Sequence, residues 1–190
     1  FAQFKNEATR FLQSSDHNYV KQEDALRDDL VGMRIFAEPL FGVASADDPL
    51  FAQLLCPEAV HPDYCLPHQW LPEAKSVIAC FLPFTQEIKK ANAADLSTPA
   101  DEWLHGRIEG QEMVAIFGAY LRDKLIEAGY DTVLPCTDAR FKMLETYKSN
   151  WSERHTAYIC GLGTFGMSKG LITAKGIAGR FCSVITTAQL

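Results

Sequence analysis

The sequence has no aspartate or glutamate after Glu153, although the chain as a whole is acidic, with a net charge of −6. Other absences bound the reading further. No apolar run approaches the ~18 residues that a membrane-crossing helix needs. No basic stretch followed by an apolar one opens the chain, which excludes a secretory leader within it. The acidic balance excludes a general nucleic-acid binder. The six cysteines, at 56, 65, 80, 136, 160 and 182, never form C-x-x-C and never match the ligand spacing of an iron–sulfur cluster. Scattered in this way, they point to a reducing cytoplasm without disulfides. Cys56, His61, Cys65 and His68 do cluster, but not at a zinc-finger spacing, and no metal site is assigned to them. There is no internal repeat and no low-complexity segment.

The acid-free stretch is also where glycine concentrates. Gly161, Gly163, Gly166, Gly170, Gly176 and Gly179 are half of the chain's twelve. The firm charges that remain are Arg154, Lys169, Lys175 and Arg180. Such a segment suggests backbone N–H groups laid against something anionic, or large and flat. A string of tight turns between short strands is the competing reading. The spacing Gly161-x-Gly163-x-x-Gly166 imitates a dinucleotide fingerprint, but that motif needs a strand before it and a helix after it. Here Trp151 to Cys160 reads as a helix, capped by Asn150 with Glu153 closing a capping box. Leu171-Ile172-Thr173 reads as a strand, and Thr186 stands where the ribose-binding acid belongs. A Rossmann site is therefore rejected.

The rest of the chain reads as one α/β (α+β) layered domain over residues 1–190, a small mixed sheet flanked by helices. Phe1 to Gln13 is an amphipathic helix, with Phe4, Ala8, Phe11 and Leu12 on one face. A second helix is expected around Glu23 to Val31. Leu40 to Ala44 is a short strand, and Leu50 to Leu55 a short helix behind the turn at Pro49. Cys56 to Pro72 carries four prolines and reads as a long loop. Ser76 to Leu82 is apolar throughout, as a strand covered on both faces should be, and Pro83 ends it. Gln86 to Trp103 reads as a polar surface excursion. Gly110 to Ala128 is the clearest helix, stopped by Gly129. Asp131 to Leu134 is a strand, Cys136 to Lys148 a polar loop, and two strands near 170–173 and 181–187 close the sequence.

Two blocks of residues resemble a known family. Trp70-Leu71-Pro72-Glu73-Ala74-Lys75-Ser76-Val77-Ile78, with the apolar run that ends at Pro83, resembles its first block. Ser152-Glu153-Arg154-His155, Gly161-Leu162-Gly163-Thr164-Phe165-Gly166, Gly170-Leu171-Ile172-Thr173 and Ser183-Val184-Ile185-Thr186 resemble its second. The family is the N-terminal domain of epoxyqueuosine reductase and its iron–sulfur relatives, similar in turn to the corrinoid core of reductive dehalogenases. The resemblance runs in order from about residue 35 to 187. It implies a nitroreductase-like core holding a corrinoid (cobalamin). It also implies that this chain is the first part of a longer protein, whose downstream ferredoxin-like domain carries the [4Fe–4S] clusters. The corrinoid would rest on the backbone of Gly161, Leu162, Gly163 and Gly166. Ser168, Thr173 and Thr186 would bond its periphery, and Lys175 or Arg180 its anionic group. The implied substrate is a small organic molecule or a modified nucleoside. The family's catalytic aspartate falls, counted without gaps, on Tyr147; Asp138 reaches that slot only with a gap. Tyr147, Asp138 and His155, the last on the first turn of a helix, are the candidate proton donors. Two other functions suit the same layers: a reductase using flavin mononucleotide, and a scaffold that presents a cofactor without catalysis.

Overall fold

The computed structural model describes residues 1–190. Its centre is a four-stranded sheet made of β1 (Leu40–Ser45), β2 (Ser76–Pro83), β3 (Thr132–Val133) and the long last strand, Gly179–Thr186, in the spatial order β1, β2, last strand, β3. Every pairing in it is antiparallel. The expected mixed sheet is thus corrected. Full burial of β2, at all eight positions, says only that both faces are covered; it does not say which way the neighbours run.

Side-chain alternation along β2 divides the core into two layers. Ile78, Cys80 and Leu82 join one cluster, with Cys182 and Val184 of the last strand. Val77, Ala79 and Phe81 join the other, with Ile185. The first layer is roofed by α1 (Ala2–Ser14) and the long α6 (Glu109–Glu127), whose Met113, Phe117 and Leu121 are fully buried at the spacing of one helical face. Gly129, at φ +89°, ends α6 in a left-handed turn that glycine enters without strain. Asn18 stitches the first layer to the sheet edge: its side-chain amide donates to the Leu12 and Phe36 carbonyls and accepts from the Phe36 N–H.

The second layer holds α2 (Pro49–Gln53), whose N-cap Asp48 accepts from the Leu50 N–H. It also holds α3 (Pro67–Trp70), inside the proline-rich loop, and α7 (Glu153–Ile159). The expected helix at 23–31 is absent. Only a turn of 3₁₀ at Asp28–Leu30 forms there, and Arg27 gathers Asp29, Asp101 and Glu102 around it. The polar stretch from Gln86 folds instead into α4 (Gln86–Ala94) and α5 (Asp101–Arg107). The loop after Cys136 contains a small hairpin, β4 (Met143–Glu145) with β5 (Lys148–Ser149). A second hairpin pairs β6 (Gly163–Phe165) with β7 (Leu171–Thr173), which makes the last central strand β8. No helix is long and apolar enough to cross a membrane.

Candidate functional site

The order around the glycine loop is helix, hairpin, strand, which disposes of the dinucleotide spacing. α7 ends in a Schellman turn. The Gly161 N–H donates to the Tyr158 carbonyl and the Leu162 N–H to that of Ala157, with Gly161 at φ +78°. The cap expected at the other end is different. Ser152, not Asn150, is the N-cap, and its side chain makes no cap bond. Asn150 turns away to accept from the Lys142 N–H and donate to the Arg140 carbonyl. Glu153 turns inward rather than back on its own helix. It accepts from the Cys136 thiol at 2.9 Å, and its second oxygen is sealed from solvent without a partner.

Two hollows adjoin the β6–β7 hairpin. The outer one is a cleft of about 530 Å³, bounded by 57–60, the 146–149 turn, the start of α7 and the hairpin's rim. His155 lines it, with its ring 4.9 Å from that of Phe165 and its Nδ1 2.8 Å from the Ser152 hydroxyl. With that hydroxyl donating, the ring proton sits on Nε2, which has no protein partner. Burial, and then the neighbouring Arg154, lower the His155 pKa, so the ring is neutral at physiological pH. Tyr147 lines the same cleft, 91% exposed. So do Lys148, Lys169 and Arg154, the last donating to the Lys169 carbonyl at 2.8 Å. Only two non-glycine residues in the chain have left-handed backbone, Tyr147 (φ 65°) and Lys169 (φ 60°), and both line this cleft. Such conformations cost energy and gather at functional sites.

The inner hollow, about 410 Å³, lies between α6, the Pro135–Thr137 turn, the start of α7 and the first half of β8. It holds Glu153, Cys136, Arg154 and Arg180 among apolar walls. Burial pushes the Glu153 carboxyl up to about 7, against the opposing pull of the bond it accepts from Cys136. The sequence reading gave Glu153 to helix capping. An inward-facing carboxyl has no sequence signal, because its burial is made by β8 some thirty residues on.

The structure scatters the other candidates. Asp138 is bound by the backbone N–H and guanidinium of Arg140, which hold it well down, at about 2. Arg140 in turn donates to the Gln69 and Trp70 carbonyls. Asp138 lines neither hollow and, through Arg140, fastens α3. Thr186 is fully buried at the far end of β8, bonded to Thr132. Thr173 closes a turn onto the Gly176 carbonyl, and Lys175 donates to the Glu38 carbonyl. Leu162 is buried in the second core layer. Ser168 sits exposed at the hairpin tip and Gly166 on the rim of the outer cleft. Cys56, His61, Cys65 and His68 each have different partners: Glu58, Glu145, Asn150 and Asp47.

Gly163 and Gly179 are explained by backbone packing rather than by a bare backbone kept for a ligand, while Gly161 and Gly176 hold left-handed turns with open space beside them. A Cβ at Gly163 would run into the Ile172 carbonyl across the hairpin, and one at Gly179 into the Leu82 carbonyl on β2. Cβ atoms at Gly166 and Gly170 would meet the Ile172 and Ile177 side chains. Gly163→Val is therefore expected to break the hairpin itself, at about 1–3 kcal/mol of overpacking. Hydrogen exchange should show amides 163–173 losing protection while α6 keeps its own. Unchanged protection at 163–173 would refute the packing account.

No protein-family model matches the chain, and no curated protein does. Its fold does match solved structures. It is similar to a selenomethionine-labelled epoxyqueuosine reductase, with TM-score 0.54 and 18% identity, over 99% of this chain and 46% of that one. It is also similar to an epoxyqueuosine reductase in complex with an epoxyqueuosine-modified tRNA-Tyr stem loop, with TM-score 0.51 and 17% identity, over 100% of this chain and 46% of that one. The chain thus spans a little under half the length of these reductases and shares the fold of that half.

Proposed function

We propose that this chain is the cofactor-holding domain of an oxidoreductase, and that the outer cleft and the hairpin beside it receive a corrinoid. The observation that carries the reading is the convergence on one cleft of both left-handed non-glycine residues with a neutral, buried-side histidine. The fold likeness to epoxyqueuosine reductases supports it.

The surface suits such a group. Phe165, Met167 and Ile172 of the hairpin segment are exposed, and no carboxylate interrupts them between Arg154 and the last residue. A broad ring with amide-bearing edges needs an apolar seat with donors around it. Phe165, Met167 and Ile172 would form the seat, and Ser168, Lys169 and Lys148 the donors. The bound corrinoid would supply the electron-rich metal centre for reduction of a small organic or modified-nucleoside substrate. The chain's own part would be to exclude water from one side, hold the edge of the group, and deliver a proton from His155 Nε2 or the Tyr147 hydroxyl. Electrons would come from an iron–sulfur domain of the same protein, in the cytoplasm.

Titrating the chain with cobalamin tests this. Saturable binding with a shifted visible spectrum is expected, weakened by Phe165→Ser with Met167→Ser. Absence of saturable binding would overturn the cofactor assignment. Yellow colour and flavin fluorescence after reconstitution with flavin mononucleotide would replace it with the flavin reading.

A further inference from the structure

The inner hollow shares only Arg154 with the outer cleft, and the proposed function makes no use of it. Its charges are unusual. Two guanidiniums, Arg154 and Arg180, line it. Neither has a carboxylate within ion-pairing distance. Each spends one hydrogen bond on a backbone carbonyl, Arg154 on that of Lys169 and Arg180 on that of Arg107. The Arg180 Nε is shut away from solvent with no acceptor at all. A buried guanidinium donor left unbonded is costly, so its retention asks for an explanation. The single carboxyl in the hollow, Glu153, does not offset the two charges, because burial keeps it largely protonated up to about neutral pH. Around these groups the walls are apolar: Val114, Leu134, Leu171, Ile177 and Phe181.

We infer that the hollow between α6 and β8 binds a small oxyanion carried on a compact apolar body, with the Arg180 guanidinium as its anchor. The hollow's size is that of a small-molecule site. A carboxylate or phosphoryl group would supply the acceptor that the Arg180 Nε lacks, with exposed Arg154 as a second donor, and charge-assisted bonds to planar guanidinium are among the stronger polar contacts. The apolar body would cover the side chains of Val114 and Ile177.

The test is calorimetric titration of the whole 190-residue chain, with no corrinoid present, by benzoate and by phenyl phosphate. Saturable binding of at least one is expected, and the tighter of the two identifies the head group as carboxylate or phosphoryl. Arg180→Gln is expected to weaken it at least tenfold, ~1.4 kcal/mol. Ala115→Trp, placed at the exposed mouth on α6, is expected to abolish it while leaving the thermal unfolding of the chain unchanged. That variant guards against a loss of fold in Arg180→Gln. Failure of both probes to saturate, or binding unaltered in both variants, would overturn the inference. Neither result bears on the outer cleft, which the cobalamin titration reads separately.

Discussion

Trp151→Ala is expected to cost about 3–5 kcal/mol of folding free energy, the range for deleting a large buried aromatic side chain. Trp151 is 1% exposed and is the hub of the second core layer. It stacks on Tyr64 at 5.6 Å and Phe51 at 6.2 Å, and meets Trp70 edge-on at 6.1 Å. Its indole N–H donates to the Ser183 hydroxyl on β8 at 2.9 Å, a fully buried bond. Alanine would leave a void between three aromatic rings and strand a hydroxyl inside the core. Domains of this kind have about 5–15 kcal/mol in total, so the loss approaches the whole margin. Urea unfolding of the two proteins measures it. Trp151→Phe keeps most of the ring volume and loses the bond, so about 1–2 kcal/mol is expected there. A change under about 1 kcal/mol for the alanine variant would mean that the layer repacks around the gap. The effect reaches the candidate site because Glu153, Arg154 and His155 begin their helix two residues later, and Trp151 ties that start to the sheet.

This hub also shows where sequence reading stops. The strand at β2 and the helix at α6 were legible, because each carries its pattern within its own residues: an unbroken apolar run before Pro83, and a 3.6-residue stripe before Gly129. The order helix, glycine loop, strand was legible in the same way, and it rightly removed the dinucleotide site. What was not legible depends on partners far along the chain. The antiparallel course of the sheet is set by crossovers, and the runs that build it look alike in either direction. Gly163 suggested a ligand, yet its missing side chain makes room for Ile172 on the neighbouring strand. Asp138, Thr173, Lys175 and Thr186 have side chains suited to a site, but the fold gives each a structural partner, and those of Lys175 and Thr186 lie far along the chain. Tyr147 and His155 lie about ninety to a hundred residues from the 57–60 wall with which they share a cleft; a motif slot and a helix turn mark them in the sequence, but that they face one hollow is a tertiary fact. Glu153 was visible as a residue and misread as a cap, because nothing nearby announces that Ser152 takes that place.

Glu153 yields the other large expectation, and its sign follows from proton linkage. An ordinary glutamate titrates at 4.5, whereas burial pushes Glu153 in the folded chain up to about 7. Between those values the folded protein keeps a proton that the unfolded chain has released. Stability is therefore fullest below about pH 4.5 as far as this group is concerned, and falls as pH rises toward 7. That gap corresponds to about 3 kcal/mol. Glu153→Gln keeps the shape, keeps an oxygen to accept from the Cys136 thiol, and carries no charge to desolvate. It should match the parent near pH 4.5 and exceed it by about 2–3 kcal/mol at pH 8. Urea unfolding of both proteins across that range reads the difference directly, and parallel curves would show that the carboxyl titrates normally in the fold. A natural chain that keeps a carboxyl against this cost, on the wall of a hollow with two unpaired guanidiniums, holds it there at the expense of stability. That trade is expected of a group retained for binding or proton transfer rather than for folding.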